Sequence, residues 1–314
     1  MALLPTASLS AATGATLVPE ARIALADVSG RIDHMAIDLD RKHLFVAELG
    51  NNSVDVIDLG TNKVLQRVKG PREPQGVGYA AGPDLIAVAS AGDGTVKFFS
   101  GKDFSARGTL QLGEDADDVR IDPGTGNVVV GYGNGGLAII DPAKQVKTAD
   151  IPLPAHPEGF ELAAGRIYVN LPGARQIAVV DPGAERIVAT WPMQLGGNFP
   201  MAMDDAGKTV AAVFRDASKL TLFDAKTGKD IVQTDTCGDA DDVFFDSKRS
   251  RIYVSCGAGS VDVFEQQGAG LTLLERIASP AGARTAVFVP ELDRLFVAER
   301  AGAGGAAIQV YRPN

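Results

Sequence analysis

The chain has 314 residues, of which 45% are hydrophobic, and its 36 glycines and 17 prolines predict many turns and few long helices. Its formal net charge of −9 argues against binding to nucleic acid or to anionic membranes, because both are polyanions. No apolar run approaches the roughly 18 residues that a membrane-spanning helix needs.

The N-terminal segment "MALLPTASLSAATGA" is rich in small and mildly apolar residues. This composition is typical of the apolar and cleavage regions of a secretory signal peptide, although the basic residues that normally come first are missing. We therefore expect residues 1–16 to be the remnant of a signal peptide or a disordered tail. The folded domain is expected at 17–314.

Seven similar units follow this segment. Each opens on an apolar residue that comes after a charged or Pro/Gly-containing turn, and these residues recur every 41 to 44 positions: Met35, Val77, Val119, Phe160, Met201, Val243 and Val287. In the first unit "LFVAE", "SVDVID" and "VLQRV" come next, and such short β-branched runs between turn residues predict strands. Four strands in each of seven units predict an all-β, seven-bladed β-propeller with four-stranded antiparallel blades.

The last unit has only three such runs before the chain reaches Asn314. The segment "RIALADV" at 22–28 is similar to the fourth runs of the other units and precedes the first unit. We expect this N-terminal segment to complete the last blade, because pairing the two ends of the chain removes an open sheet edge.

Several repeat sequences resemble those of a known propeller family. "LFVAE" at 44, "RIYVN" at 166 and "RIYVS" at 251, each followed by phrases such as "SVDVIDLGTNKVL", resemble the YVTN-type, YncE-like propellers over nearly the whole chain. The resemblance implies a seven-bladed fold and an exported protein with a binding role. Together with the N-terminal segment, it leads us to expect a periplasmic or secreted protein, with the cytoplasm as the alternative.

Acidic residues recur in the loops that enter the first strand of each unit. In a propeller these loops surround one mouth of the central channel, so their side chains converge. The positions two residues before the unit starts are Asp33, Gln75, Asp117, Glu158, Phe199, Asp241 and Thr285. The four acids are candidate ligands of a divalent cation: oxygen ligands favour Ca²⁺ or Mg²⁺, and His34 would admit Mn²⁺ or Zn²⁺. The alternatives are acids that cap turns through their own backbone, or a site for a cationic organic ligand.

Other polar side chains are expected near the same mouth. They lie in the same loops or at the ends of second strands, and as candidate ligand contacts we select Asp33, His34, Glu48, Asp118, Asp242, Arg284 and Glu299.

A second resemblance concerns enzymes. "PEGFEL" around Glu158 and the two copies of "DADDV", at 115–119 and 239–243, are similar in position to the ligand loops of metal-dependent lactonases of the gluconolactonase type. This resemblance implies a hydrolase, lactonase or lyase in which a metal ion polarises a carbonyl group or activates water. The sequence departs from that family because these loops lack its asparagine ligands and carry Phe199 at one of the positions.

Cys237 and Cys256 flank two successive predicted strands of one unit, and an exported protein would join them in a disulfide. "GYGNGG" at 131–136 matches a glycine pattern of nucleotide sites, but it joins two predicted strands, so we expect no nucleotide cofactor. We expect a monomer whose acidic mouth binds a metal ion, a small molecule or a peptide segment, with no established catalysis. The alternatives are the metal-dependent enzyme and a protein-interaction scaffold.

Overall fold

The computed structural model describes residues 14–314, which form seven four-stranded antiparallel sheets arranged in a ring. The predicted all-β, seven-bladed propeller is thereby confirmed. Residues 1–13 lie outside the described residues, so the signal-peptide or tail interpretation of this segment stays a prediction. No helix within the described part of the chain is both long and apolar enough to cross a membrane.

The strands follow the repeat units in order. Strand β1 (Leu17–Ala24) precedes blade 1, which contains β2 (Met35–Asp38), β3 (His43–Glu48), β4 (Ser53–Asp58) and β5 (Lys63–Lys69). Blades 2 and 3 contain β6 (Pro74–Ala80), β7 (Leu85–Ser90), β8 (Thr95–Ser100), β9 (Ala106–Gln111), β10 (Ala116–Ile121), β11 (Val128–Tyr132), β12 (Gly136–Asp141) and β13 (Val146–Pro152). Blades 4 and 5 contain β14 (Phe160–Ala163), β15 (Arg166–Leu171), β16 (Gln176–Asp181), β17 (Arg186–Pro192), β18 (Asn198–Met203), β19 (Thr209–Phe214), β20 (Lys219–Asp224) and β21 (Asp230–Asp235). Blades 6 and 7 contain β22 (Ala240–Asp246), β23 (Arg251–Cys256), β24 (Ser260–Gln267), β25 (Gly270–Ala278), β26 (Ala286–Val289), β27 (Arg294–Glu299) and β28 (Ala307–Pro313), and short 3₁₀ helices follow β3 (Leu49–Asn51) and β15 (Pro172–Ala174).

The middle strands of each blade are apolar because neighbouring blades cover both of their faces. All six residues of β7, "LIAVAS", are buried. The outer strand of the same blade, β9, reads "ARGTLQ" and is mostly exposed. Turn residues with left-handed backbone connect the strands, as at Asn62, whose φ is 56°. Asparagine tolerates this conformation better than most residues, which explains why it occurs in turns between the strands of the repeats.

The two ends of the chain meet in blade 7. β1 pairs antiparallel with β28, from Leu17 opposite Pro313 to Ala24 opposite Ala307. The closing strand was predicted at 22–28, so the partner was correct but the bounds were wrong. Residues Leu25 and Val28 lie beyond the strand and pack in the core between blades 7 and 1. A bulge between Pro19 and Ala21 lets the strand extend further toward the N-terminus than the apolar pattern alone indicates.

Several inner strands begin before their first repeated apolar residue. β10 begins at Ala116 and β22 at Ala240, and in each case the register with the next strand shifts within the Asp-Asp pair that follows. A bulge inserts an extra residue and turns side chains away from strict alternation. It therefore allows both aspartates of each pair to reach the centre of the ring.

Cys237 and Cys256 form a disulfide in blade 6, with their Cα atoms 5.8 Å apart. Ala240 of the inner strand lies directly opposite Cys256, so the bond ties the loop entering the inner strand to the end of β23. Both cysteines are buried.

Replacing both cysteines by alanine is expected to lower the free energy of unfolding by about 3 kcal/mol, since a bridge of this loop length restricts the unfolded chain. Urea unfolding measures the difference in free energy of unfolding between wild type and variant. The control is the same comparison in reductant, where the disulfide is broken and most of this difference should disappear. Denatured, unreduced protein should show no free thiols. Two free thiols in protein made in an oxidising compartment would contradict the bridge.

Candidate functional site

A polar cavity of about 250 Å³ opens at one mouth of the central channel. All seven blades contribute to its lining, mostly through the loops that enter the inner strands, as the repeat alignment predicted. Of the residues selected from the sequence, seven line this cavity: His34, Asp117, Asp118, Glu158, Asp241, Asp242 and Arg284.

Asp33 does not line the cavity but lies buried beside it. Its carboxylate is fully buried and has Arg31 and His34 as neighbours: Arg31 Nη2 is 2.6 Å from Oδ2, and His34 Nδ1 is 3.0 Å from Oδ1. Neither contact has hydrogen-bond angles, so both carboxylate oxygens lack a well-directed donor among the described residues. The group is held by charge rather than by directed hydrogen bonds.

The floor of the cavity is an ion cluster. Burial lowers the pKa of His34, but the carboxylates of Asp118 and Asp33 outweigh burial and raise that pKa well above its ordinary value. His34 is therefore a cation here. The Arg120 guanidinium contacts the buried carboxylate of Asp118. Burial raises the pKa of Asp242, whose Oδ2 accepts a hydrogen bond of 2.7 Å from the backbone N–H of Ala286.

Three arginines at the mouth were not assigned a role from the sequence: Arg31, Arg120 and Arg215. The Arg215 guanidinium contacts the Asp241 carboxylate and lies 3.9 Å from the ring centre of Phe199, a cation–π arrangement. Arg284 Nε is 3.1 Å from the other oxygen of Asp241. Burial raises the pKa of Asp241, but the two arginines outweigh it and lower that pKa below its ordinary value. Asp241 is thus an ionised and fully paired acid.

The loop that carries Phe199 is fixed by two buried amides. Asn198 Nδ2 donates to Asn170 Oδ1 at 3.0 Å, and Asn170 Nδ2 donates to the Phe199 carbonyl oxygen, also at 3.0 Å. Both asparagines are fully buried. They hold the apolar wall of the cavity, which Phe199, Pro200 and Met201 form.

Two acids that line the cavity, Asp242 and Glu158, form no ion pair among the described residues; Asp242 accepts a hydrogen bond from Ala286, and Glu158 accepts none. Within residues 14–314 its side chain makes neither a hydrogen bond nor an ion pair. Burial, followed by repulsion from Asp117, raises the pKa of Glu158 to about 7. Asp117 itself has His156 nearby, with Nε2 3.5 Å from Oδ2.

His156 is a second cation at this side of the mouth. Its Nδ1–H donates to the Gly133 carbonyl oxygen at 2.6 Å. The Asp117 carboxylate, 3.5 Å from Nε2, is the main cause that raises the pKa of His156 to about 9. Protonated His156 therefore lies against Asp117, and no cation is in contact with Glu158 among the described residues.

Two selected residues lie elsewhere: Glu48 and Glu299. Both end the second strand of a blade, and their side chains face the outer strands instead of the channel. Arg67 of β5 lies 3.3 Å from Glu48, and Arg22 of β1 lies 2.8 Å from Glu299. Neither side chain lines the cavity, so the structure does not bring these two candidates together with the others.

The four proposed metal ligands are divided among different partners. Asp33 and Asp241 are paired with arginines, Asp117 lies beside His156, and Glu158 faces the cavity without an ion pair. Among the described residues, no three His, Cys, Asp or Glu side chains are arranged to hold a metal ion. Binding of Ca²⁺, Mg²⁺, Mn²⁺ or Zn²⁺ at Asp117 and Glu158 remains a prediction.

Stability is expected to fall as pH rises, because of Glu158. Its folded-state pKa of about 7 lies above the ordinary value of 4.5, so the folded protein holds a proton that the unfolded chain releases between these pH values. The folded state then binds more protons than the unfolded state, and the free energy of unfolding declines with pH across this range. Melting temperatures measured from pH 4.5 to 7 should decline less steeply for Glu158→Gln than for wild type, and parallel profiles would contradict the assignment.

Comparison with known proteins supports the fold. No protein-family model and no curated protein matches the chain. A chain in the crystal structure of a mitotic checkpoint complex is similar over 99% of this chain and 96% of its own length, with a TM-score of 0.80 and 11% identity. A chain of the Kuenenia stuttgartiensis hydrazine synthase is similar over 91% of this chain and 97% of its own length, with a TM-score of 0.77 and 15% identity. At these identities the similarity shows the propeller fold alone.

Proposed function

We propose that the protein is a binding protein that holds a small ligand at the channel mouth through a positively charged group of that ligand. The observation that carries this proposal is the Glu158 carboxyl, which faces the cavity without a paired cation. A cation beside this carboxyl would offset the repulsion from Asp117 and favour its ionised form. The lining of mixed charge with one apolar wall is typical of sites for small polar organic molecules.

An organic ammonium group fits this lining better than a bare divalent ion. A Ca²⁺ ion takes six to eight oxygen ligands, while Asp241 and Asp33 are already held by arginines. An ammonium group needs only two or three acceptors, which Glu158 and Asp117 offer, and Phe199 and Met201 can cover the carbon chain attached to it.

We also propose that the protein is exported and belongs with the YncE-like propellers. The Cys237–Cys256 disulfide supports an oxidising compartment. The seven four-stranded blades and the repeated "RIYV" sequences support the family assignment.

A thermal-shift panel tests the binding proposal. Butylamine should raise the melting temperature in a saturable way, since a ligand that binds only the folded state at about 100 times its Kd contributes about 2.7 kcal/mol. Glu158→Gln should abolish the shift. Glu114→Gln is the matched control, because Glu114 is exposed in the same loop region as Asp117 and does not line the cavity.

The same panel includes CaCl₂, MgCl₂, MnCl₂ and ZnCl₂. A shift with one of these ions and none with butylamine, lost in Glu158→Gln, would establish the metal site and overturn the organic cation. No shift with any of these probes would overturn binding of a cation at Glu158.

A catalytic role is the second candidate, and the pKa of Glu158 supports it. A carboxyl with a pKa of about 7 can accept and return a proton at neutral pH. Turnover of lactones or esters, with and without added divalent metal, that disappears in Glu158→Gln would establish this role. Absence of turnover across that panel would leave binding as the function.

A further inference from the structure

Three arginines meet at the rim of the mouth between blades 7 and 1. Arg31 lies in the loop before the inner strand of blade 1, and Arg284 lies in the loop before the inner strand of blade 7. Arg300 directly follows β27. Arg31 and Arg284 line the cavity. Arg300 packs against Gly282, two residues before Arg284: a methyl group added at Gly282 would be 3.1 Å from Arg300 Cδ, and Arg300 is close enough to Arg284 and Arg31 to be repelled by them.

The Nε–H groups of these three arginines are buried donors without an acceptor. None of the three Nε atoms makes a hydrogen bond among the described residues. Arg284 Nε does lie 3.1 Å from an Asp241 oxygen, but at an angle that is no hydrogen bond. A buried donor without a partner costs roughly 1–3 kcal/mol. Three such donors on neighbouring side chains would be satisfied by an acceptor group that enters between them.

Of these three arginines, Arg300 is the one that has no carboxylate in contact among the described residues. Within residues 14–314 it forms no ion pair, whereas Arg31 pairs with Asp33 and Arg284 with Asp239 and Asp241. Burial, followed by repulsion from Arg284 and Arg31, lowers the pKa of Arg300. Arg300 is therefore a cation without an acid in contact among the described residues, on the side of the mouth away from Glu158 in blade 4.

We propose that Arg31, Arg284 and Arg300 form an anion subsite that binds a carboxylate group. A guanidinium fork matches a carboxylate in size and geometry and can donate two parallel hydrogen bonds. This inference rests on the proposed function in one respect: with Glu158 binding the cationic group, the ligand is a zwitterion, an amino acid or a short amino-carboxylate. The carboxylate subsite itself stands on the three arginines.

Binding of three probes of equal chain length tests the subsite: butylamine, butyrate and 4-aminobutyrate. Calorimetric titration of the wild type should show tighter binding of 4-aminobutyrate than of either single-charge probe. Arg300→Gln should lose affinity for butyrate and for 4-aminobutyrate by about tenfold or more, since a hydrogen bond to a charged group contributes 1.5–3 kcal/mol. Arg300→Lys should lose part of this affinity, because lysine keeps the positive charge but cannot donate two parallel hydrogen bonds as a guanidinium does.

The variants separate failure of this subsite from failure of the proposed function. If butylamine binds in a Glu158-dependent way and Arg300→Gln changes the affinity for no carboxylate, the anion subsite is wrong and the cation site stands. If butyrate binds in an Arg300-dependent way and butylamine does not bind, the subsite stands and the proposed function is wrong. Inorganic phosphate is the competing anion: tighter binding of phosphate than of butyrate, lost in Arg300→Gln, would replace the carboxylate by a phosphate group and overturn the amino-carboxylate assignment.

Stability of the ligand-free protein provides an independent readout. Because Arg300 is repelled by its neighbours and has no acid partner, Arg300→Gln should leave the melting temperature unchanged or raise it. A marked decrease would show that Arg300 supports the fold, and the subsite would then be overturned.

Discussion

A chain that begins at Leu25, and therefore lacks β1, is expected to aggregate and to lose most of its stability. β1 covers the edge of β28 along seven paired positions and buries Leu17 and Ile23, each only 2% exposed. Losing two such side chains costs roughly 3–6 kcal/mol at 1.5–3 kcal/mol each. That is a large part of the 5–15 kcal/mol that typically separates folded from unfolded domains. The bare edge of β28 would also offer its unpaired backbone groups to other chains.

The matched control is a chain that begins at Gly14. It keeps β1 and the contact of Thr16 with blade 6, where the Thr16 N–H and Oγ1–H donate to Glu275 Oε2 at 2.7 and 2.6 Å. Size-exclusion chromatography and thermal unfolding compare the two truncations. A monomeric chain starting at Leu25 with the melting temperature of the control would contradict closure of the ring by β1.

Replacing Arg120 by alanine is expected to lower the free energy of unfolding by about 3–5 kcal/mol, as for other broken buried ion pairs. The Asp118 carboxylate that Arg120 contacts is 1% exposed and would be left with His34 as its cation. Arg120 also lies over the ring of Phe160, at 5.7 Å from its centre, and 3.7 Å from Glu161. Its loss therefore removes packing together with charge.

The double variant Arg120→Ala with Asp118→Ala distinguishes charge from packing. Because it leaves no unpaired carboxylate at position 118, it should be destabilised by less than the sum of the two single variants. Urea unfolding measures all three. Additive losses, or an Arg120→Ala protein as stable as wild type, would contradict the ion cluster at the cavity floor.

The fold was predictable because each blade repeats one local pattern. Every unit presents its apolar runs at nearly constant spacing, and such a repeat specifies the strand order before any contact is known. The bounds of β1 were less predictable, since its first residues, "LVPEA", contain a proline and two exposed positions. Only the pairing with β28 shows that they belong to a strand.

The acids of the mouth were found because they occupy one fixed position of the repeat, whereas Arg31 and Arg120 do not. Arg31 precedes Asp33 by two residues, and Arg120 follows Asp118 by two, so neither recurs in other blades. Arg120 shows a signal that could have been used: side chains two apart on a strand share a face. The bulge at Asp117–Asp118, which brings both acids to the centre, has no comparable signal in the sequence.

The position of Glu48 and Glu299 outside the cavity lining has a related cause. Position in the repeat places both at the end of a second strand, but successive side chains of a strand point to opposite faces, so this position alone does not show that a side chain reaches the channel. Arg67 and Arg22 belong to outer strands, and they lie beside the two glutamates. A prediction of which side chains reach the channel must therefore use charge pairs between neighbouring strands as well as the position in the repeat.

The central claim is that Glu158 binds the positive group of a ligand, and proton release on binding tests it most directly. At pH 7 the Glu158 carboxyl, with its pKa of about 7, is half protonated, and a bound ammonium group lowers that pKa. Calorimetric titration with butylamine in two buffers of different ionisation enthalpy should show release of about half a proton per ligand in the wild type. Glu158→Gln should show neither the release nor the affinity. Binding without proton release, or release of the same size in Glu158→Gln, would contradict the claim.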